Sequence, residues 1–378
     1  MAEKKKAKNE VKVEENSSTE NNILRLHPEQ QFKQEFEALA KNDKRQRPPN
    51  WSLSPWAVVT YIMGGKLEDG FEITPKYVGN KRVIETCVAT LATDRALLLL
   101  GVPGTAKTWI SEHISAAISG DSTLIVQGTA GTSEETIKYG WNYAKLLSEG
   151  PSQSALVSSP IMRAMKNGKI ARVEELTRIP SDVQDALLTI LSEKSLPIPE
   201  LNEEVQAIKG FNIIATANDR DKGVNELSSA LKRRFNTVVL PVPETVEEEI
   251  EIVSSRVKSL GKALEIPAET PPLEEIKKIV TIFRELRNGA TEDGKTKIKA
   301  TSGTMSTAEA ISVITNSLAL SAHFGNGNLN DIDIASGLVG AIIKDPIQDR
   351  VVLKEYIETV LKERDNWNGL YKAFREVV

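Results

Sequence analysis

From residue 96 the chain reads Ala-Leu-Leu-Leu-Leu-Gly, an unbroken apolar run stopped by glycine. Continuous rather than alternating apolar positions predict a strand over 96–100 covered on both faces, as in a parallel sheet. Further short apolar runs predict strands at 123–127, 170–173, 211–217 and 237–240. Between them apolar residues recur at helical spacing. Residues 83–91 read as one helix, and Ile110, Ile114 and Ile118 form a stripe that Gly120 stops. Val183, Leu187 and Ile190 form another, preceded by Ser181 and Gln184 at capping-box spacing. Ser54 and Pro55 open a short helix through Trp56 and Tyr61. Strands alternating with helices predict an α/β parallel sheet sandwiched by helices.

After Pro243 the pattern is helical only. Val246, Ile250, Val253, Val257 and Leu260 lie three or four apart, as do Leu273, Ile276, Val280 and Phe283. Ser306 and Glu309 again have capping-box spacing, ahead of Ile311, Ile314 and Leu318. A last helical stretch is expected from about Val351 to the end. These patterns predict a smaller all-α domain over 244–378 behind an α/β core over 46–243. Residues 1–45 are polar and charged, including Lys4, Lys5 and Lys6 and the stretch 14–22. They are expected to be a disordered tail, with order beginning near Trp51.

A length of 378 residues accords with two folded units, and 40% hydrophobic residues suffice for their cores. The net charge of −4 lacks the basic excess of a nucleic-acid binder, which argues against that partner. Cys87 is the only cysteine, so no intrachain disulfide forms. The first residues carry no apolar signal core, and no run approaches the roughly 18 apolar residues that span a bilayer. The expectation is a cytoplasmic protein without a membrane partner. Three histidines with no Cys/His cluster exclude the common zinc motifs.

The chemistry concentrates just after the first strand. Gly101-Val102-Pro103-Gly104-Thr105-Ala106-Lys107-Thr108 follows it directly and opens a helix at Trp109. That context is what a Walker A phosphate loop needs, and it points to ATP. Small residues admit phosphate oxygens to backbone N–H groups, and the helix N-terminus adds its positive end. Lys107 would reach the β- and γ-phosphates, and Thr108 would offer its hydroxyl to Mg²⁺. Ala106 stands where the strict pattern has glycine, and its methyl fits if the local φ is negative. The candidate Walker B strand is Ile170-Ala-Arg-Val-Glu174-Glu175. Glu174 would hold the Mg²⁺ shell through water, and Glu175 would polarise the attacking water. Glu174 is one methylene longer than the usual aspartate, and Arg172 is unusual inside such a strand.

With these motifs in order, residues 75–345 resemble the MoxR family of AAA+ ATPases, a branch near dynein-related AAA domains. The resemblance implies a P-loop NTPase core followed by an all-α lid. The loop with Ala106 is similar to that family's own variant. Residues 175–180 and 185–193 resemble its Walker B and following helix, and 213–219, with Asn218 and Asp219, its sensor 1 strand. Leu231-Lys-Arg233-Arg234-Phe235 resembles the segment bearing an arginine finger, with Arg234 favoured over Arg233 and Arg178 a further candidate. Residues 195–209 resemble the hairpin before sensor 1. Residues 128–147 resemble the helix 2 insertion, whose Tyr139, Trp141 and Tyr143 would face a central pore or pack within the fold. The family's sensor 2 arginine is missing, since the matching segment is Ser306-Thr307-Ala308. The resemblance further implies a homo-oligomeric, hexameric ring acting as a chaperone on a protein client, often one with a von Willebrand A domain. Two alternatives stay open: an ATP-gated scaffold with little turnover, and a nucleic-acid-associated ring.

Overall fold

The computed structural model describes residues 23–218, 225–267 and 271–378; the stretches 4–6 and 14–22 and Asp219 lie outside the described residues. Order begins ahead of where the hydrophobic pattern placed it. Helices α1 (Pro28–Gln31) and α2 (Lys33–Asn42) correct the expected disordered tail over that part of 1–45. Their apolar residues are few but spaced four and three apart. Leu39 is fully buried, and Phe36 lies 4.4 Å, centroid to centroid, from Tyr61.

The core follows the predicted order. Helix α3 (Pro55–Met63) is capped by Ser54, whose hydroxyl accepts from the Ala57 amide at 3.2 Å. Next come α4 (Lys81–Leu91), β1 (Ala96–Gly101), α5 (Lys107–Ser119) and β2 (Ile125–Gln127). An insertion contains α6 (Glu134–Ile137), β3 (Tyr139–Trp141), α7 (Tyr143–Glu149) and β4 (Leu156–Ser158), with β3 and β4 antiparallel. It thus runs past the expected 128–147. Tyr139 and Trp141 pack edge to face at 6.0 Å, while Tyr143 is exposed. Helix α8 (Pro160–Asn167) then leads into β5 (Ile170–Glu174).

Helices α9 (Ser181–Gln184) and α10 (Ala186–Glu193) replace the single predicted helix, and the capping box at Ser181 is not formed. Ser181 lies inside α9, and Gln184 donates through Nε2 to the Ile179 carbonyl at 2.9 Å instead. The expected hairpin is present as β6 (Ser195–Ile198) and β7 (Glu203–Gln206). Strand β8 (Asn212–Asn218), helix α11 (Ser229–Lys232) and strand β9 (Phe235–Val239) complete the core.

The main sheet has the order β9-β1-β8-β5-β2, parallel throughout. Its two faces explain the unbroken apolar run of β1. Leu97 and Leu99 pack with Ile110 and Ile114 of α5, while Ala96 and Leu98 join the opposite cluster with Met162 and Leu187.

The C-terminal region is helical: α12 (Val246–Ala263), α13 (Leu273–Asn288), α14 (Thr307–Phe324), α15 (Asp331–Ile342), α16 (Gln348–Thr359) and α17 (Asn368–Val377). It has its own hydrophobic cluster around Phe283, Ile314, Leu338 and Phe374. The Ser306–Glu309 capping box is formed, and so is one at Thr245–Glu248 that the apolar pattern did not announce. The expected continuous last helix is interrupted by two 3₁₀ turns, where Arg364 leaves the helical path to pair with Glu285. The chain is therefore a P-loop-type α/β sheet with flanking helices, followed by an all-α lid. Among the described residues, no helix is long and apolar enough to cross a membrane.

Candidate functional site

Strand β1 delivers the chain into the loop 101–106, which turns straight into α5. Gly104 has φ +85°, and a Cβ there would sit 2.3 Å from the Cβ of Ser306, so the lid closes directly on this loop. Ala106 is left-handed, with φ +62°, so the negative φ under which its methyl would fit freely is not met. The turn into the helix demands that conformation, at a cost of about 1–2 kcal/mol for a residue bearing a Cβ. Lys107 is buried and donates to the carbonyls of Gly101 at 2.8 Å and Val102 at 2.9 Å.

Strand β5 ends beside the first turn of α5. The Thr108 hydroxyl donates to Glu174 Oε2 at 2.9 Å, and Thr216 of β8 donates to the same oxygen at 2.7 Å. Gly128, after β2, completes the packing: its amide donates to the Glu174 carbonyl at 2.7 Å. A Cβ on Gly128 would lie 2.3 Å from the Glu175 carbonyl oxygen. Glu175 has φ +55°, so it departs from the strand direction and its side chain diverges from that of Glu174. Asn218 Nδ2 meets Glu175 Oε2 at 3.0 Å, and Arg178 pairs with the same carboxylate at 3.5 Å. The fold thus gathers Lys107, Thr108, Glu174, Glu175 and Asn218 from three separate chain segments.

Arg233 and Arg234 are not brought to this cluster. Arg234 bonds Ser192 and, at 2.7 Å, the Ala230 carbonyl, whereas the Arg233 side chain is exposed at the end of α11.

Beside the loop lies a cavity of about 390 Å³ between core and lid, lined among others by Lys76, Tyr77, Gly79, Thr105, Pro243 and Thr307. Sequence reasoning missed the 76–80 and 241–244 segments that line it. The available signal was Asn80, which caps α4 through its bond from the Arg82 amide at 2.8 Å. Lys76 is paired with Glu35, and burial pulls its ammonium down to about 8 against the opposing pull of that carboxylate. Trp109 donates to the Lys76 carbonyl at 2.9 Å. From the lid, Arg256 lies over the Trp109 ring at 3.8 Å, so the residue after Thr108 touches both bodies. Arg284 clamps the hinge by donating to the carbonyls of Pro243, Glu244 and Thr245 at 3.1–3.3 Å. Where the lid meets the loop, the structure places Ser306 and Thr307, with no arginine in that segment.

These residues fit ATP and Mg²⁺. A hydroxyl and a carboxylate form a hard oxygen donor set suited to Mg²⁺. The crowded glycine loop at a helix N-terminus suits phosphate.

Residues 96–235 match the AAA domain of the dynein-related subfamily, and residues 247–377 match the YehL-like AAA+ ATPase C-terminal domain. Across 364 residues the chain is 40% identical to the YehL protein of Escherichia coli K12, spanning 94% of this chain and 98% of that one. The chain belongs to the YehL-like AAA+ ATPases. The resemblance to the MoxR-like, dynein-related branch is borne out at this level. A protein of Staphylococcus aureus USA300 is 26% identical over 154 residues, 40% of this chain and 58% of its own length. Among solved structures, NtrX of Brucella abortus in complex with ATP superposes with a TM-score of 0.47 at 13% identity, over 79% of this chain and 62% of NtrX, under two thirds of that protein.

Proposed function

We propose that this chain is a ring-forming ATPase that uses ATP hydrolysis at the core–lid junction to remodel or activate a partner protein. The observation that carries the reading is the bond between Thr108 and Glu174, with Glu175 and Asn218 in contact beside it. In this reading residues 46–243 act as the nucleotide-binding core and 244–378 as the lid and its extension. The loop 101–109 holds the triphosphate, with Lys107 on its β- and γ-oxygens. Thr108 and Glu174 would hold Mg²⁺, which would supply charge neutralisation for the phosphates. Glu175 accepts a proton from the attacking water, and Asn218 orients that water or the γ-phosphate.

Arg234, or Arg233, serves the site of the neighbouring subunit, since neither reaches its own. A head-to-tail contact of that kind closes into a ring, hexameric by family resemblance. Rotation of the lid about the Arg284-clamped hinge is then passed to the client. By the same resemblance that client is a protein carrying a von Willebrand A domain.

A second reading, an ATP-gated switch with little turnover, draws support from Arg172, which occupies Glu174, and from the absence of an arginine at 306–308. Steady-state phosphate release by the assembled protein separates the two. Turnover that disappears in Glu175→Gln while ATP still binds supports the ATPase. No turnover in the wild-type ring, with ATP bound, removes it in favour of the switch.

A further inference from the structure

Strand β5 carries a charge on its covered interior. Arg172 and Glu174 lie two residues apart and therefore project to the same face. Both side chains are buried, at 5% and 1% exposure. A buried guanidinium needs every donor answered. Here NH1 donates to the Ser122 carbonyl at 3.0 Å, and NH2 donates to Glu174 Oε1 at 2.8 Å and to the Thr108 carbonyl at 3.3 Å. Nε donates to Glu174 Oε1 and to the Ser111 hydroxyl, both at 3.2 Å. Ser111 itself donates to Oε1.

The two oxygens of Glu174 are thereby divided. Oε1 takes three hydrogen bonds, two from Arg172 and one from Ser111, and is thereby committed to the interior. Oε2, which meets Thr108 and Thr216, is the oxygen facing the phosphate loop. The extra methylene of glutamate over aspartate accounts for the arrangement: the carboxylate spans from the arginine to the Thr108 hydroxyl. Among the described residues no group of three or more His, Cys, Asp or Glu gathers to hold a metal. A single carboxylate whose charge is already answered is a weak divalent site by itself.

We propose that Arg172 is a positioning residue that fixes Glu174 through Oε1 and attenuates its affinity for divalent cations, so that the metal enters together with nucleotide oxygens rather than before them. The proposal rests on the nucleotide-site reading above. Its mark is a dependence on the charge of residue 172, which a purely packing role lacks.

The test uses the full chain and Mn²⁺ alone as the probe, with bound metal counted by the loss of the free-ion paramagnetic signal. Wild type is compared with Arg172→Gln and Arg172→Lys, and ADP binding is measured separately by calorimetry. Arg172→Gln is expected to bind Mn²⁺ about 10-fold more tightly than wild type, the scale on which partners of a metal ligand act. Arg172→Lys, which keeps the charge but loses the fork, is expected to stay within about 2-fold. Unchanged or weaker Mn²⁺ binding in Arg172→Gln overturns the proposal. If Arg172→Gln fails to fold, Arg172→Met, which also removes the charge, takes its place: about 10-fold tighter Mn²⁺ binding sustains the proposal, and unchanged or weaker binding overturns it. Failure of ADP to bind wild type strikes the nucleotide reading, whereas the Mn²⁺ comparison strikes only the role of Arg172.

Discussion

Thr108 donates to Glu174 Oε2 at 2.9 Å, and that bond ties the first turn of α5 to the end of β5. It brings a hydroxyl from one apolar-run boundary to an acid from another, 66 residues apart. The residue before Thr108, Lys107, is buried and bonded to carbonyls of its own loop. Lys107→Ala is therefore expected to weaken ATP binding about 100-fold, the worth of charge-assisted bonds to two phosphates. Calorimetric titration with ATP checks this, and an unchanged affinity would remove the loop as the phosphate site.

The placement of Arg234 makes a prediction about assemblies. Its guanidinium is held by Ser192 and Ala230, away from its own Glu175. Arg234→Ala should retain ATP binding and lose turnover by about 10³-fold or more. Mixed with Glu175→Gln subunits, it should recover activity at junctions that pair an intact acid with an intact finger. Full activity of Arg234→Ala by itself would transfer the role to Arg233, which is the more exposed of the two.

The left-handed Ala106 predicts a stabilising substitution. With φ at +62°, its Cβ costs what glycine does not. Ala106→Gly is expected to gain about 1 kcal/mol and to raise the core's melting temperature by about 2 °C. Differential scanning calorimetry reads the shift. A lowered melting temperature would mean that the methyl packs favourably enough to outweigh the backbone strain.

What could be read in the sequence divides along physical lines. β1 was legible because burial on both sheet faces leaves no polar alternation, and the strand–loop–helix turn at 101–107 because glycines directly follow that strand and precede a helical stripe. The sign of φ at Ala106 was not legible, since it is imposed by the angle between β1 and α5. Helices α1 and α2 were missed because Phe32, Phe36 and Leu39 are diluted among charges, and their partners Tyr61 and His113 come from distant segments. The capping box at Ser181 failed because Pro180, not Ser181, takes the N-cap position of α9. The division of the Glu174 oxygens required β5 and α5 to be seen side by side. Sequence spacing gives the identity of such residues and not which oxygen each donor takes.

His113 on α5 predicts a pH dependence of stability. Its ring is fully buried among Phe32, Tyr61 and Trp109, and Nδ1 lies 2.8 Å from the Tyr61 hydroxyl. Burial first, then the positive charges of Lys76, Arg256, Arg25 and Arg172, pull its pKa down to about 2 from 6.5. The unfolded chain therefore takes up a proton below pH 6.5 that the folded chain refuses. Stability from keeping this ring neutral is complete above pH 6.5 and is lost as pH falls toward 2, at about 1.4 kcal/mol per unit. Carboxylates add their own acid sensitivity, so the informative quantity is a difference. His113→Gln is expected to be less stable than wild type at pH 7, through lost ring packing, with the gap narrowing as pH drops from 6.5 to 4.5. Urea midpoints measured for both proteins across that range test it. Parallel curves would show that the imidazole gains its proton in the folded protein as readily as in the unfolded one, and so is not sealed beneath α1 and α3.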